Sequence, residues 1–448
     1  MAYDCLRTLI AALEALRPAF TRPGFDNLLV VFAGWVLTNG PHAVTQTLVA
    51  TSVAGRRHHE AFHRFFSRGT WDPDEVGRLV FCWILKHVPY GAAIRVAIDD
   101  TFASKKGPDV FGIGSHLDAV RSTRRQKIFA FGHCWVVLAV VLPMPFSSRT
   151  FALPVLFRLY RTVKSCTRSG QQHRKKTELA RELLNVFTSW VAGRRVELAA
   201  DCAYCNDTVT RGLPANVVLF GAMRPDAVLT ALPSKRLRKG GRPSKRGRPV
   251  AKPEVIAKDG RRPWLSCEAT LYGARRTVHY KTVDAQWYRA CGTGLLRIVI
   301  VKVENGAIGI RVFFSTDASV SVPVILETYA GRWSIEVCFR NLKQLLGFGD
   351  SSARKRAAVE RTAPFVGITY TILMLWFAEG VHQTAIATPP LRPWYSHKSG
   401  LCFADVLRAA QRALTPLDVL DPRRSLANLR RRERPPRRTG KGRLRRAA

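Results

Sequence analysis

The sequence predicts an α/β protein with a core interrupted by a β-rich insertion, a helical domain before that core and a basic tail after it. Three observations support this prediction. Residues 1–85 have apolar residues at helical spacing, residues 86–215 contain short apolar runs that end in acids, and the texture changes to short alternating segments at about 216. We therefore expect four parts: helical 1–85, a core from 86–215 and 316–380, an insertion at 216–315, and a C-terminal region at 381–448.

The first 85 residues read as helices. The stretches "DNLLVVFAGWVLTNG" and "AVTQTLVATSV" are apolar at helical spacing. The stretch "WDPDEVGRLVFCWILKH" begins with acidic residues, which are favoured in the first turn of a helix. We expect these segments to form an N-terminal helical domain.

The core is predicted from a particular order of strands, helices and acids. The strand "GAAIRVAIDDTF" ends in two acids, and "QKIFAFGHCWVVLAVVLP" is long enough for a strand pair. The helix "KKTELARELLNVFTSWVAG" follows, and "RRVELAADCAY" is a short strand that also ends in an acid. After the insertion comes a helix that carries Glu336. This order indicates an RNase H-like core.

The insertion and the tail are recognised by composition. "SKRLRKGGRPSKRGRPVAKPE" consists largely of Gly, Pro and cations, which predicts an exposed loop. "LLRIVIVKVENGAIGIRVFFS" contains the pair Asn305-Gly306 between β-rich runs, a hairpin signal. The last residues, "DPRRSLANLRRRERPPRRTGKGRLRRAA", have no core-forming pattern and predict a basic tail.

The overall charge predicts a polyanionic partner. The 448 residues carry a formal charge of +39, spread along the chain, which favours nucleic acid over a membrane surface. The start of the chain lacks the features of a signal peptide, and the ten cysteines have no disulfide-like rhythm, so we expect a cytoplasmic protein. "APFVGITYTILMLWFAEGV" reaches only the low end of a membrane-spanning length, and we expect no membrane insertion.

Three acids are candidate metal ligands. Asp100 or its neighbour Asp99 ends the first strand, Asp201 ends a later strand, and Glu336 lies on the helix after the insertion. Clustered carboxylates need a cation, and Mg²⁺ combines a few carboxylates with phosphate oxygens. Two such ions can promote hydrolysis or strand transfer at a phosphodiester. Each acid alone is more simply a turn or cap residue, so the prediction depends on the combination.

The helix "YAGRWSIEVCFRNLKQLLGFG" carries four polar side chains on nearly one line. Tyr329, Arg332, Glu336 and Lys343 fall within a stripe about 60° wide if the segment is one continuous helix. Such a stripe could be a solvated face supported by ion pairs. It could also hold DNA phosphates beside the metal, with Arg332 and Lys343 on the Glu336 side.

The spacing Tyr329-x2-Arg332-x3-Glu336-x6-Lys343 resembles the Tyr-Arg-Glu-Lys signature of DDE transposases of bacterial insertion sequences. "IDDT" and "ADCAY" are similar to the first and second aspartate strands of that family, and the resemblance runs from about residue 55 to 380. Asp99 and Asp100 would point to opposite faces of their strand. The resemblance favours Asp100, because the family's acid directly precedes a Thr, here Thr101.

The resemblance implies a DNA transposase. It would cleave at the ends of an insertion sequence and transfer the strand into target DNA, with Mg²⁺ or Mn²⁺, as a homodimer on terminal inverted repeats. The implied residues are a catalytic and metal-binding triad of Asp100, Asp201 and Glu336, with Tyr329, Arg332 and Lys343 on DNA. The protein would be nucleoid-associated, and its N-terminal helices would bind the element ends. The alternative is a catalytically inactive, transposase-derived DNA-binding protein.

Several other motifs are weaker. His59-Glu60-x-x-His63 has the spacing of a zinc protease helix but no clear third ligand, and Cys202-x-x-Cys205 has no second pair, so we expect neither to bind metal. Arg242 and Arg248 lie in Gly-Arg-Pro triplets that look like minor-groove hooks, and we expect both to contact DNA. Trp264 and Trp287 are more simply core residues than base-stacking platforms, a choice that the sequence leaves open.

Overall fold

The computed structural model of the chain describes residues 2–107, 109–118, 121–123, 125–233, 244–303, 309–394, 400–422 and 425. Three predicted features fall outside these ranges. They are Arg242, the Asn305-Gly306 hairpin signal and nearly all of the basic tail. Those expectations remain predictions.

Five helices precede the first strand. They are α1 (Ala2–Glu14), α2 (Arg22–Leu37), α3 (Val44–Ala50), α4 (Glu60–Ser67) and α5 (Pro73–Leu85). Side-chain caps start two of them: the Thr21 hydroxyl accepts the Gly24 amide before α2, and the Asp72 carboxylate accepts the Asp74 amide before α5. The acids "DPDE" thus act at the start of α5, where the sequence predicts them.

The central strands and helices follow in the predicted order. They are β1 (Ile94–Ser104), β2 (Gly114–Leu117), β3 (Phe129–Met144), β4 (Ser147–Tyr160), α6 (Val163–Arg168), α7 (Lys176–Trp190), β5 (Val196–Ala200), α8 (Asp207–Thr210) and β6 (Val217–Met223). The stretch predicted as a strand pair is instead the single strand β3, and that prediction is wrong. Its partner β4 begins only after the turn that follows Met144, because the apolar run continues across both faces of one fully buried strand.

The rest of the chain contains short strands and then long helices. They are β7 (Leu229–Thr230), β8 (Pro249–Val250), α9 (Pro253–Lys258), β9 (Leu265–Leu271), β10 (Ala274–Ala285), α10 (Tyr288–Cys291), β11 (Leu296–Lys302), β12 (Ile310–Ser315), α11 (Val322–Gly331), α12 (Trp333–Leu345), α13 (Arg356–Ala378) and α14 (Phe403–Leu414). Three short 3₁₀ helices lie at Arg17–Ala19, Val381–Gln383 and Ala385–Ala387.

One large sheet organises these elements. Among the described residues it has ten strands, in the order β2-β3-β1-β5-β6-β12-β11-β10-β9, with β4 also paired to β3. Strands β4, β3 and β1 pair antiparallel with one another, whereas β1, β5 and β6 pair in parallel. The predicted α/β class is confirmed, and this arrangement is consistent with the nuclease-like core that the sequence predicts.

The β-rich segment continues the sheet of the core. Strand β6 lies within the range predicted as insertion, yet it pairs in parallel with β5. Strand β12 then pairs antiparallel with β6, and β11, β10 and β9 follow outward. The sheet therefore runs without a break from the predicted core into the predicted insertion, which alternating patterns alone do not reveal.

The N-terminal helices pack on the same core. A single hydrophobic cluster contains residues of α1, α2, α4 and α5 together with β1, β3, β4 and α13. The cluster includes Trp35, whose indole nitrogen donates to the Leu346 carbonyl at 2.8 Å, at the end of α12. The N-terminal helices thus support the helix that carries Glu336.

The apolar segment considered as a membrane span forms most of α13. Nearly every residue of this helix from Ala358 onward is buried, and Thr371 donates to the Pro154 carbonyl of β4 at 2.9 Å. The described part of the chain contains no helix that is long and apolar enough to cross a membrane.

We predict that Gly77→Ala destabilises the protein. A Cβ at Gly77 in α5 would lie 2.1 Å from the backbone oxygen of Val155 in β4. The helix propensity of Ala gains about 1 kcal/mol, but the overpacking of a backbone contact costs about 1–3 kcal/mol. The urea midpoint should fall, whereas Gly260→Ala, where a Cβ meets nothing within 4 Å, should leave it unchanged. An unchanged midpoint for Gly77→Ala would show that α5 is free to move away from β4.

Candidate active site

The middle of β1 and the end of β5 bring two aspartates together. The strands are parallel and Ile98 is opposite Ala200, so the next residues in each chain, Asp99 and Asp201, lie at the same level. Residues opposite each other in neighbouring strands face the same side of a sheet. Asp99 and Asp201 therefore point to the same face, at the carboxyl ends of the parallel strands.

Arg332 links the first of these aspartates to Glu336. Its Nη1 lies 2.8 Å from Asp99 Oδ2, and its Nη2 lies 2.9 Å from Glu336 Oε1. The side chain of Arg332 is only 11% exposed and that of Asp99 only 16%, while Glu336 is 34% exposed. The structure thus joins Asp99, Arg332 and Glu336 in one ion-paired group.

The pKa of Asp99 reflects this crowding. Burial raises it to about 7; the positive charge of Arg332 opposes that rise, and the negative charge of Asp201 adds to it. The Asp100 amide, which donates to Asp99 Oδ1 at 2.8 Å, also favours the ionised form. The contribution of Asp201 to this rise is consistent with the proximity that the strand register indicates.

Asp100 points to the opposite face. Its Oδ1 accepts the Tyr204 hydroxyl at 2.8 Å, its Oδ2 accepts the Lys176 ammonium at 2.7 Å, and the Cys134 thiol is 3.2 Å away. Lys176 begins α7, on the side of the sheet away from Arg332. The structure therefore does not bring Asp100 together with Glu336, as the sequence-based grouping of Asp100 with Asp201 and Glu336 expects. Alternation along β1 places Asp99, and not Asp100, beside Glu336.

Lys176, Tyr204 and Cys134 had no place in the sequence prediction. Burial raises the pKa of Cys134 to about 12, so this thiol stays protonated and can donate to Asp100. The one signal that could identify Tyr204 is its position three residues after Asp201 in "ADCAY". The hydrogen bond of Tyr204 ties the turn after β5 to the end of β1.

Asp201 is held by that same turn. Its Oδ1 accepts the amides of Ala203 at 3.0 Å and Tyr204 at 3.3 Å, an Asx-type turn. The Asp201 side chain is partly exposed. Its second oxygen, Oδ2, accepts no hydrogen bond from the residues that the structure describes. The turn fixes the carboxylate without an ion pair.

The signature segment is two helices and not one, so the prediction of a single continuous helix is wrong. Helix α11 ends at Gly331 and α12 begins at Trp333, with Arg332 at the junction. The Arg332 amide bonds to the Tyr329 carbonyl at 3.1 Å, and the Ile335 amide to the Arg332 carbonyl at 3.0 Å. These short-range bonds tighten the chain at Arg332, whose backbone stays in the right-handed helical region at φ −54° and ψ −36°.

The other signature residues are partly in place. The centres of the Tyr329 and Phe313 rings lie 4.7 Å apart. The guanidinium carbon of Arg332 lies 5.6 Å from the centre of the Tyr329 ring. Burial raises the pKa of Tyr329, so its hydroxyl remains a donor. Lys343 is exposed on α12, two turns beyond Glu336. Arg332 is thus committed to carboxylates, while Lys343 is open to a ligand.

The remaining motifs are resolved where they lie in the described residues. Arg248 is exposed, and its triplet is anchored because the Ala231 amide donates to the Arg248 carbonyl at 2.9 Å. Trp264 and Trp287 both pack against the hydrophobic core, and the Lys281 ammonium covers the Trp264 ring at 4.8 Å. Both tryptophans are therefore partly buried against the core.

The two weak metal motifs remain without a ligand set. His59 and His63 are exposed, with ring centres 5.7 Å apart. Cys205 is buried and Cys202 is exposed. Within the described ranges, no group of three or more His, Cys, Asp or Glu side chains is arranged to hold a metal ion.

The donors at the sheet edge fit a hard divalent cation in kind. Asp99, Asp201 and Glu336 offer only carboxylate oxygens, which Mg²⁺ prefers. Their present arrangement is closed by Arg332, which pairs with two of the three. The residue types therefore suit Mg²⁺, and Arg332 supplies the positive charge in the arrangement described here.

We predict that Arg332→Gln destabilises the metal-free protein. The change leaves Asp99 and Glu336 without their cation, and removing one partner of a buried ion pair costs about 3 kcal/mol. The thermal midpoint in EDTA should fall, and added Mg²⁺ should raise it more in the variant than in the wild type. Arg340→Gln, at an exposed position of the same helix, is the control and should behave as wild type. Equal responses to Mg²⁺ in all three proteins would contradict the prediction.

Comparisons with known proteins identify the family. Residues 15–290 match the family model described as DDE superfamily endonuclease, and residues 277–377 match that of the archaeal putative transposase ISC1217. No curated protein matches the chain. Among solved structures, it is similar to a piggyBac transposase synaptic complex with hairpin DNA, at 11% identity and a TM-score of 0.44, covering 93% of this chain and 77% of that one.

The family matches agree with the order of strands and acids read from the sequence. The first match spans β1, β5 and both of their terminal aspartates, and the second spans the helix with Glu336. The predicted DNA transposase of the DDE type is confirmed. Because the first match covers more than half of the chain, the protein belongs to the DDE superfamily endonuclease family.

Proposed function

We propose that the protein cleaves DNA at the ends of an insertion sequence and joins the freed strand to target DNA, through Asp99, Asp201 and Glu336. The observation that carries this proposal is the ion-paired group of Asp99, Arg332 and Glu336, with Asp201 opposite Asp99 in the strand register. We assign the first acid to Asp99 in place of Asp100, whose carboxylate is occupied by Lys176 and Tyr204.

The proposed metal is Mg²⁺, with Mn²⁺ able to substitute, held by the three carboxylates. When bound, it would supply Lewis acidity to a phosphodiester and to the attacking oxygen. The side chains have separate roles. Asp201 is already presented by its turn, whereas Asp99 and Glu336 become ligands only when Arg332 turns away from them. Arg332 would then donate to a phosphate oxygen, for which its planar fork is suited.

The proposed DNA contacts lie on both sides of this group. Lys343 is exposed beyond Glu336, and Tyr329 offers a protonated hydroxyl before Arg332. Arg248 is exposed on an anchored backbone, and we propose that it binds DNA together with Arg242 of the same basic segment.

We further propose that the protein belongs to the bacterial insertion-sequence subgroup with the Tyr-Arg-Glu-Lys signature. Its core would be RNase H-like, with the antiparallel strands β4, β3 and β1 followed by the parallel strands β5 and β6. The helical N-terminal part and the basic tail would bind DNA, and two copies would assemble on the terminal inverted repeats. The charge of +39 suits a nucleoid-associated protein.

We predict that Asp99→Asn abolishes cleavage and Asp100→Asn does not. The substrate is a plasmid that carries the gene with its native flanks, assayed with Mg²⁺ and with EDTA. Asp99→Asn and Glu336→Gln remove ligands and should lower cleavage at the element boundary by about 10³-fold or more. Asp100→Asn weakens only a supporting contact and should cost about 10- to 100-fold. The matched Asn variants differ by one position and keep the side-chain size.

The outcomes separate the alternatives. If Asp100→Asn abolishes cleavage and Asp99→Asn does not, the assignment of Asp99 is wrong. If cleavage persists in EDTA, the metal-dependent mechanism is wrong. Tight DNA binding without any cleavage by the wild type would support the alternative, a catalytically inactive DNA-binding protein, because Arg332 would then be a permanent partner of the acids.

A further inference from the structure

The hairpin of β2 and β3 has an exposed apolar face. Leu117, Phe129 and Phe131 are 46%, 64% and 64% exposed. Leu117 is opposite Phe129 in the antiparallel ladder, so their side chains are neighbours, and Phe131 follows two residues along β3 on the same face. These three residues form what we call the aromatic face.

In this hairpin the apolar side chains are exposed and a polar side chain is buried, which is the reverse of the usual arrangement. On its other side, the polar His116 is buried at 8% exposure, together with Gly114 and Gly132. A one-residue shift of the strands would hide the phenylalanines and expose the histidine. The register instead presents two aromatic rings and a leucine to solvent, which indicates a surface that receives a partner.

The aromatic face shares a side and an end of the sheet with the proposed catalytic acid. Asp99 is opposite Val137 in the uninterrupted ladder of β1 and β3, and residues 131 and 129 have the same parity as residue 137. Six residues of strand separate Val137 from Phe131, which is about 20 Å. DNA that passes Asp99 and continues along β3 would therefore reach these rings.

The charges around the aromatic face favour DNA over protein. Arg121, Arg125 and Lys127 are exposed beside it. The acid of the described part of this hairpin, Asp118, has a side chain only 13% exposed and lies 4.0 Å from Arg121. A second copy of this chain, also at +39, would bring like charge against this surface. DNA has both charged phosphates and flat bases, so it is complementary to the cations and to the apolar rings of this surface.

We infer that the aromatic face binds the bases of DNA flanking the cleavage site, by stacking or by wedging between base steps. Phenylalanine and leucine are side chains that insert between bases, and aromatic rings also stack on exposed bases. At about 3.4 Å per base pair, a distance of about 20 Å corresponds to roughly six base pairs from the scissile phosphate. The inference deepens the proposed function and depends on Asp99 being at the cleavage site.

The test measures binding without cleavage, in EDTA, with duplexes of the gene's native flanks. The variants are Phe129→Ala/Phe131→Ala, the aromatic replacement Phe131→Trp, and the control Tyr90→Ala. Tyr90 is an exposed aromatic residue before β1, at the opposite end of that strand from Asp99. None of these changes alters the charge, so electrostatic attraction to phosphate is preserved in all.

The double variant should raise Kd about 10-fold or more with an unchanged dependence on salt. In the wild type, fluorescence of 2-aminopurine should rise when the probe lies about six base pairs from the boundary. This rise should be absent in the double variant and retained with Phe131→Trp and Tyr90→Ala. Thermal midpoints near wild type would confirm that these exposed positions leave the fold intact.

Several results would overturn the inference. They are an unchanged Kd in the double variant, a probe signal that persists without the phenylalanines, and an equal loss with Tyr90→Ala. A wild-type dimer that becomes monomeric in the double variant would assign the face to a second copy instead. If the wild type does not bind the duplexes at all, the proposed function itself fails. If it binds and the double variant binds equally, only the aromatic face is wrongly assigned.

Discussion

The site depends on one guanidinium that holds two carboxylates. Asp99 and Glu336 come from a strand and a helix more than two hundred residues apart, and Arg332 pairs with both at 2.8 and 2.9 Å. Without that cation, two largely desolvated acids would repel each other beside Asp201. At the junction between α11 and α12, Arg332 reaches Asp99 of β1 and Glu336 of α12 at the same time.

The two neighbouring aspartates have different contacts because they lie on opposite faces of one strand. Asp99 faces α12 and Asp100 faces α7, because successive side chains alternate. Asp100 accepts Lys176 and Tyr204, so it joins the end of β1 to the start of α7 and to the turn that presents Asp201. The supporting network of Asp100 therefore lies on the other face of the strand from Arg332 and Glu336. The same dipeptide supplies one acid for each face.

The sequence predicts the order of helices and strands well, because the apolar residues of each segment repeat at a clear helical or strand spacing. Helix α5 with its cap, Asp201 after β5 and Glu336 on a helix are found as expected. Strand β1, however, runs on through Asp99 and Asp100 to Ser104, past the strand end that the sequence predicts. The choice between Asp99 and Asp100 is different. Alternation requires that they diverge, but which face receives α12 is set by packing between residues distant in the chain. The same limit applies to β12, whose pairing with β6 joins the insertion to the core sheet. Helix α13 shows a third case, because a fully buried helix and a membrane span have similar composition.

The charge balance of the protein changes sign at this site. The chain carries 71 cationic and 32 acidic side chains, so most of its surface attracts DNA before any specific contact forms. The three acids with Arg332 instead have a formal local charge of −3 + 1 = −2, taking all of them as ionised. A phosphate brought there by the surrounding field meets repulsion unless a divalent cation balances that charge. Attraction over the surface and repulsion at its centre together make DNA binding possible without cleavage. In the proposed function, Asp99 and Glu336 would release Arg332 when they hold a cation, and this exchange would separate DNA binding from cleavage.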